Sequence, residues 1–304
     1  MARYIGDQNR LGFFYESGLY ASTSGGLQWI GRVQSHDLDD STGVITTRYV
    51  SQGNRNVGEF VDGPLDHTGA FTYFPQDWKF LMFALGSNVN AGSPSPYSHT
   101  ISEVNSASGN AFTSGTKNPF MSFSLEDFQK GAETGLNTVR TINGAIVNTF
   151  KLSWAQGDIM SAEVGYIAQS VAFSSGAQSA LTEATTRPFR WSDVLVHIPS
   201  GTIIEEVKEG ELGFTNNLQA PHYSNGSRHI SVPVPLNRDY TFTVTMDGTS
   251  ERTKTFYDNY FLGGSRFNMM LQVTASEAGA GSRDLFVVFS GCKMMDMEMP
   301  IAGE

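Results

Sequence analysis

Alternation between apolar and polar positions is the dominant signal along this chain. In residues 159–168, Met160, Ala162, Val164 and Tyr166 fall on one face of an extended strand, and Ser161, Glu163 and Gly165 on the other. That is the two-residue period of a half-buried strand. Strand-like runs recur at residues 29–34, 43–50, 57–61, 69–73, 120–125, 191–198 and 285–289, separated by turn chemistry such as Asp62-Gly63-Pro64. Residues 138–154 predict a hairpin that turns at Asn143-Gly144, two residues that tolerate φ > 0. A second turn at Gln156-Gly157-Asp158 leads into the next strand. Residues 75–86 read as a short helix. Pro75 lies near its start, Gly86 ends it, and Trp78, Leu81, Met82 and Leu85 share a face.

Two stretches look alike. Leu65-Asp66-His67-Thr68-Gly69-Ala70-Phe71-Thr72 lies over Leu236-Asn237-Arg238-Asp239-Tyr240-Thr241-Phe242-Thr243, and an aromatic segment ending in Gly-Ser follows each. A second correspondence sets residues 143–150 over residues 200–207. Two similar β units in one chain would let one subunit fill two equivalent places in a symmetric assembly.

On this basis residues 1–27 are expected to form an extended arm, 28–173 a first β unit and 189–304 a second. The Ser/Ala/Thr stretch 174–188 reads as the linker between them. Within the first unit, residues 88–118 form a long Ser/Gly/Asn/Pro loop, of a length uncommon inside compact domains unless it interacts with something. The fold class is mainly β, a sandwich or barrel with one or two short helices.

Composition sharpens this. Gly 32 in 304 residues suits many strands joined by tight turns, and charged residues make up only 16%. A neutral, polar surface fits a protein that meets copies of itself. The net charge of −10 opposes a protein that grips nucleic acid, while leaving room for one past which nucleic acid slides. With Cys292 alone there is no intrachain disulfide. The first residues hold no apolar core of a secretory signal, and no apolar run approaches a membrane span, so folding in cytoplasm without a membrane partner is expected.

Catalytic chemistry is hard to find. The six histidines are scattered, with no carboxylate or cysteine at a telling spacing. Cys292 precedes Lys293 but closes an apolar strand, which favours a packed structural thiol. Gly25-Gly26 and Gly263-Gly264 lack the lysine of a phosphate loop. Asp37-Leu38-Asp39-Asp40 lacks the downstream Gly and Glu of a calcium loop and reads as a solvated turn. The methionines of residues 294–299 read as the packing face of a strand. No enzyme activity, cofactor or metal is expected.

Three stretches resemble the major tail tube proteins of long-tailed viruses of bacteria and archaea. They are residues 141–153, Thr141-Ile142-Asn143-Gly144-Ala145-Ile146-Val147-Asn148-Thr149-Phe150-Lys151-Leu152-Ser153, with Gly157-Asp158-Ile159-Met160-Ser161-Ala162-Glu163-Val164 after them, Phe80-Leu81-Met82-Phe83-Ala84-Leu85-Gly86-Ser87, and the turn-rich strand pair before that segment. The resemblance implies a β-sandwich whose inner strands join neighbours around a lumen, in rings of six units that stack into a tube. It implies that DNA passes through without specific binding, and that other tail proteins, such as a tape measure and a tail terminator, are partners. Three chains would close a ring if each holds two units, six if each holds one. The arm 1–27 and the loop 88–118 are candidates for contacts between rings. Glu163, on the strand after the tight turn, and Glu205 and Glu206, in the second copy of the pattern, are the candidates to face the lumen. The same composition also fits another virion component (distal tail, baseplate or decoration protein) or a carbohydrate-binding β-sandwich.

Overall fold

The structure is a computed structural model describing residues 9–16, 23–47, 59–91, 98–103, 121–131, 137–199, 201–224, 226–247, 254–277 and 281–298. In chain order the strands are β1 (Arg10–Glu16), β2 (Thr23–Trp29), β3 (Arg32–Thr47), β4 (Glu59–Phe74), β5 (Gly86–Ala91), β6 (Ser98–Glu103), β7 (Phe123–Gln129), β8 (Thr138–Ala155), β9 (Ser161–Ala168), β10 (Ser170–Ser174), β11 (Val194–His197), β12 (Ile203–Ile204), β13 (Val207–Thr215), β14 (Leu218–Gln219), β15 (Val234–Pro235), β16 (Asp239–Met246), β17 (Phe267–Glu277) and β18 (Gly281–Cys292). One α-helix, α1 (Lys79–Leu85), lies between β4 and β5, and a π-helical segment, Phe256–Leu262, between β16 and β17. The protein is mainly β, as the alternation predicts.

The chain forms two compact units that interleave along the sequence. The first holds Met1–Leu152, Ser161–Thr185 and Gly213–Thr241; the second holds Ser153–Met160, Thr186–Leu212 and Phe242–Glu304.

In the first unit the strand order is β2-β1-β7-β8-β9-β4-β3, and β10 also pairs with β8. Where an arm was expected, β1 is an inner strand paired with β2 and β7, and Leu11 and Phe13 are buried. The expected loop 88–118 falls partly within a hairpin of β5 and β6; its residues 92–97 and 104–118 lie outside the described residues. Residues 175–189 carry no helix or strand but are pinned. Ser179 donates through N and Oγ to Glu126, at 2.8 and 2.6 Å.

The core of this unit is aromatic. Phe13, Phe71, Tyr73, Phe80, Phe83 and Phe123 pack edge to face or tilted, with ring centroids 4.9 to 5.8 Å apart where they touch, avoiding the face-to-face stacking that ring quadrupoles disfavour. Helix α1 sits within it. Rather than one apolar face, every residue from Phe80 to Ala84 is buried, and Trp78 and Leu85 are only half-buried. A seven-residue helix without a polar stripe is held by burial on all sides. Gly86 caps it at φ 92°, as expected from the sequence. Asn216, itself buried, fastens the helix end. Its Nδ2 donates to Ala84 O and Val147 O at 3.1 and 2.9 Å, and its Oδ1 accepts from Arg238 Nε at 2.7 Å.

The predicted hairpin at Asn143-Gly144 does not form; β8 runs straight through it. The type I′ turn that Asn-Gly favours needs positive φ at both positions, and type II′ needs it at the first; only Gly144, the second, has it, at 64°. The dipeptide instead kinks one long strand flanked by β7 and β10. The amide freed by the kink, Gly144 N, donates to Glu16 Oε1 at 2.9 Å, and the same carboxylate accepts from the Ser122 and Ser124 hydroxyls. The corresponding stretch after Ser200 behaves differently. Ile203–Ile204 is a two-residue strand, a turn follows at Glu205-Glu206, and β13 begins. In the other aligned pair of stretches, β4 and β16 each precede a short helical segment, one α and one π.

In the second unit the sheet order is β12-β11-β17-β18. Val196, Ile204, Met269, Leu271 and Val273 form its buried face. Gly210 lies against the Trp154 ring, which leaves no space for a Cβ. Arg187 grips Asp193 with two parallel hydrogen bonds at 2.6 and 2.9 Å. The turn at residues 156–158 forms as predicted, with Gly157 at φ 89°.

Candidate functional site

The most distinctive surface of the first unit is the solvent face of β3, β4, β9 and β8. Register fixes what lies on it. Asp37 pairs with Ala70 and Ala70 with Gly165; Asp39 pairs with Thr68 and Thr68 with Ile167; Ser35 pairs with Thr72 and Thr72 with Glu163. Directly opposed residues share a face, and the period of two keeps alternate rows together. Asp37, Asp39, Thr68 and Glu163 are exposed, while Ala162, Val164, Tyr166 and Ala168 point into the core. The two faces that alternation predicts for β9 are therefore the two faces it has.

Between the rows lies a recess of about 340 Å³ lined by Asp37, Asp39, Ala70, Asn148, Thr149 and Gly165. Its floor is small by necessity: a Cβ on Gly165 would sit 2.3 Å from Thr149 Oγ1. Carboxylates, hydroxyls and small side chains thus cover this face, with Lys151 next along β8 on Thr149's side. Asp37, Asp39 and Glu163 outnumber Lys151 on this face, so its net charge is negative and repels phosphate.

Beneath it the wall is stiffened by a buried network. Arg140 donates through Nε and Nη2 to Asp127 Oδ2, the former at 3.1 Å. His36 Nδ1 lies 3.5 Å from the same oxygen, and His36 Nε2 lies 2.8 Å from the Tyr166 hydroxyl. Burial pushes the Asp127 carboxyl up, but the hydrogen bonds and charges of His36 and Arg140 outweigh it and hold the group below its ordinary range. Burial pushes the Tyr166 phenol well up, so it stays protonated and able to donate.

Three histidines do have carboxylate neighbours, far away in sequence. Besides His36, His67 Nδ1 lies 2.7 Å from Asp40 and His222 Nε2 2.9 Å from Asp66. Register sets His67 opposite Asp40, and packing of segments distant in the chain brings the other two pairs together, which spacing along the sequence cannot reveal. Asp37 to Asp40 form part of strand β3 rather than a turn. The signal was there: Asp37 and Asp39 alternate with Leu38, as strand residues do. Among the described residues no group of three or more His, Cys, Asp or Glu side chains is placed to hold a metal ion. Glu205 is exposed in the turn after β12, and Glu206 beside it is half-buried with its carbonyl accepting from Asp247 N at 3.0 Å. Both belong to the second unit, Glu163 to the first. Cys292 ends β18 half-buried, and burial pushes its thiol up. Among the described residues of the methionine run, 294–298, there is no strand, and Met295 is exposed; Met299 lies outside the described residues. Among the described residues no helix is long and apolar enough to cross a membrane.

Antiparallel sheets, an aromatic core and an exposed acidic face describe a mainly β protein. The sequence profile of the phage tail tube protein family matches residues 8–301, nearly the whole chain, and the chain belongs to that family. It is a structural component of the virion tail that assembles with copies of itself and with other tail proteins into the tube. None of the curated proteins matches it.

Proposed function

We propose that copies of this chain close into rings of six places that stack into a hollow tube, with the acidic face of β3, β4, β9 and β8 lining the lumen. The observation that carries this is the make-up of that face: Asp37, Asp39 and Glu163 exposed over a floor of Ala70 and Gly165. Double-stranded DNA carries about one negative charge per 1.7 Å and adheres wherever cations neutralise it. A wall that meets it with carboxylates and hydroxyls lets it move. DNA then passes without specific binding, the tape measure and tail terminator proteins act as neighbours in the assembly, and the chain performs no catalysis.

A single family match over residues 8–301 supports one chain per place, hence six chains per ring. Three chains would follow if each chain filled two places.

Cysteine labelling tests the wall. In a Cys292→Ser background, Glu163→Cys is expected to react with a small maleimide in assembled tubes but to be shielded from a maleimide carried on a large protein. Equal labelling by both would place Glu163 on the outside and sink the assignment. The same substitution at Glu205 and Glu206 tests whether the second unit also contributes to the lumen.

A further inference from the structure

The β3–β4 pair outruns its sheet. Strand β9 pairs with β4 only from His67 to Tyr73, so beyond Leu65 the ribbon has no third strand among the described residues. Out there Ile45 opposes Val61, and Val44 opposes Asp62. Val44, Ile45 and Val61 are 56%, 52% and 42% exposed. Val44 and Ile45 are neighbours on one strand, so they point to opposite faces and both faces carry bare apolar side chains. A lone two-stranded ribbon is marginal in water and gains from a partner.

Its root, by contrast, is fixed. The ribbon bulges where Gly43 meets Gly63, so closely that a Cβ on Gly63 would sit 2.4 Å from Gly43 O. Arg228 holds that point. Nε donates to Gly63 O at 2.8 Å, Nη1 to Asp62 at 3.1 Å and Nη2 to Thr42 Oγ1 at 3.0 Å, while Leu65 N donates to Arg228 O at 2.9 Å. A held root with a bare outer half is the construction of a docking arm.

The second unit presents a matching surface. Strand β18 is the outermost of its sheet, and its far edge is unpaired among the described residues. Phe286 and Val288 are 55% and 58% exposed on its outer face. Register ends at Phe267 opposite Cys292, and exposed Arg266 and Lys293 adjoin that end in sequence. The strip is Phe286 and Val288, with exposed Asp284 before them on the same face and the two cations beyond the other end of the strand. The ribbon offers an apolar strip with the Asp62 carboxylate, whose side chain is 80% exposed.

We propose that the outer half of the β3–β4 ribbon of one copy docks on the β18 edge of a second copy. The inference rests on the tube reading. Two unlike patches that meet make a head-to-tail contact, the kind that propagates or closes into rings rather than stopping at a dimer. Long apolar edges otherwise invite uncontrolled pairing, and mutual capture removes both.

The test is a mixed cross-link. In a Cys292→Ser background, Ile45→Cys and Phe286→Cys are made separately, mixed, assembled and oxidised. Cross-linked dimers are expected from the mixture and not from either variant alone; Val61→Cys, on the same ribbon face as Ile45, with Val288→Cys repeats the test at the neighbouring pair. Tubes that form with no cross-link at either pair, or with cross-links only between ribbons, overturn the proposal and leave the tube reading standing. Wild-type protein that forms no tubes overturns both. Separately, Ile45→Lys is expected to raise the concentration needed for assembly about tenfold or more with an unchanged circular dichroism spectrum. Assembly at the wild-type concentration contradicts the proposal.

Discussion

Asp127 shows how much a single buried group asks of its neighbours. It is nearly out of solvent and is kept ionised by Arg140 and His36. Replacing Arg140 with Met leaves that carboxylate buried without its main partner, which costs about 3 kcal/mol. Urea unfolding at neutral pH is the measurement. The pH dependence has a definite sign. A folded-state pKa below the unfolded value stabilises the fold above the unfolded pKa of about 3.9, and that contribution is lost as pH falls through the folded value. Stability of the wild type should therefore fall below about pH 4, with a shallower slope in Asp127→Asn; an identical acid limb in the two proteins contradicts this. Asn216 makes a second test. Asn216→Ala strips partners from Ala84 O, Val147 O and the Arg238 guanidinium together, and a loss of about 2 to 3 kcal/mol is expected.

At the level of elements, what the sequence revealed depended on whether neighbouring strands mattered. The two faces of β9, the turn at Gly157 and the Gly86 cap rest on local periodicity and backbone freedom, and all were legible. The kink at Asn143-Gly144 was not, because strands from distant parts of the chain decide whether β8 turns or continues. Phe80 and Phe83 were likewise missed as core residues, since helical spacing singled out one face of a segment that is buried on every side. The acidic face was half legible. Glu163 was named, but Asp37 and Asp39 join it only through register with β4. Two substitutions test these elements. Gly144→Ala forces a Cβ into left-handed backbone and should cost about 1 to 2 kcal/mol, while Phe83→Ala opens a cavity in the aromatic core and should cost about 3 to 5 kcal/mol. Thermal or urea unfolding measures both; a neutral Phe83→Ala would mean that α1 is not held by the core packing described above.

For the whole molecule, family membership turns these parts into a structural role. On the proposed docking, sheet edges that are liabilities in a monomer serve as joints in the tube. A face of net negative charge is what the proposed wall requires, since it repels the phosphates of a passing polyanion. The two interleaved units do not follow the sequence halves suggested by the repeated pattern, because β8, β13 and β16 each have one end in either unit. A boundary that falls inside strands leaves no change of composition for sequence reading to find, and the Ser/Ala/Thr stretch drew attention to residues that are instead tied down by Glu126.

The most direct measurement is electron microscopy of the purified protein over a concentration series. Hollow stacked rings with six chains in each, and with density for β3, β4, β9 and β8 on the inner wall, are the predicted result. A monomer at every concentration, or tubes whose lumen is lined by other strands, would contradict the account.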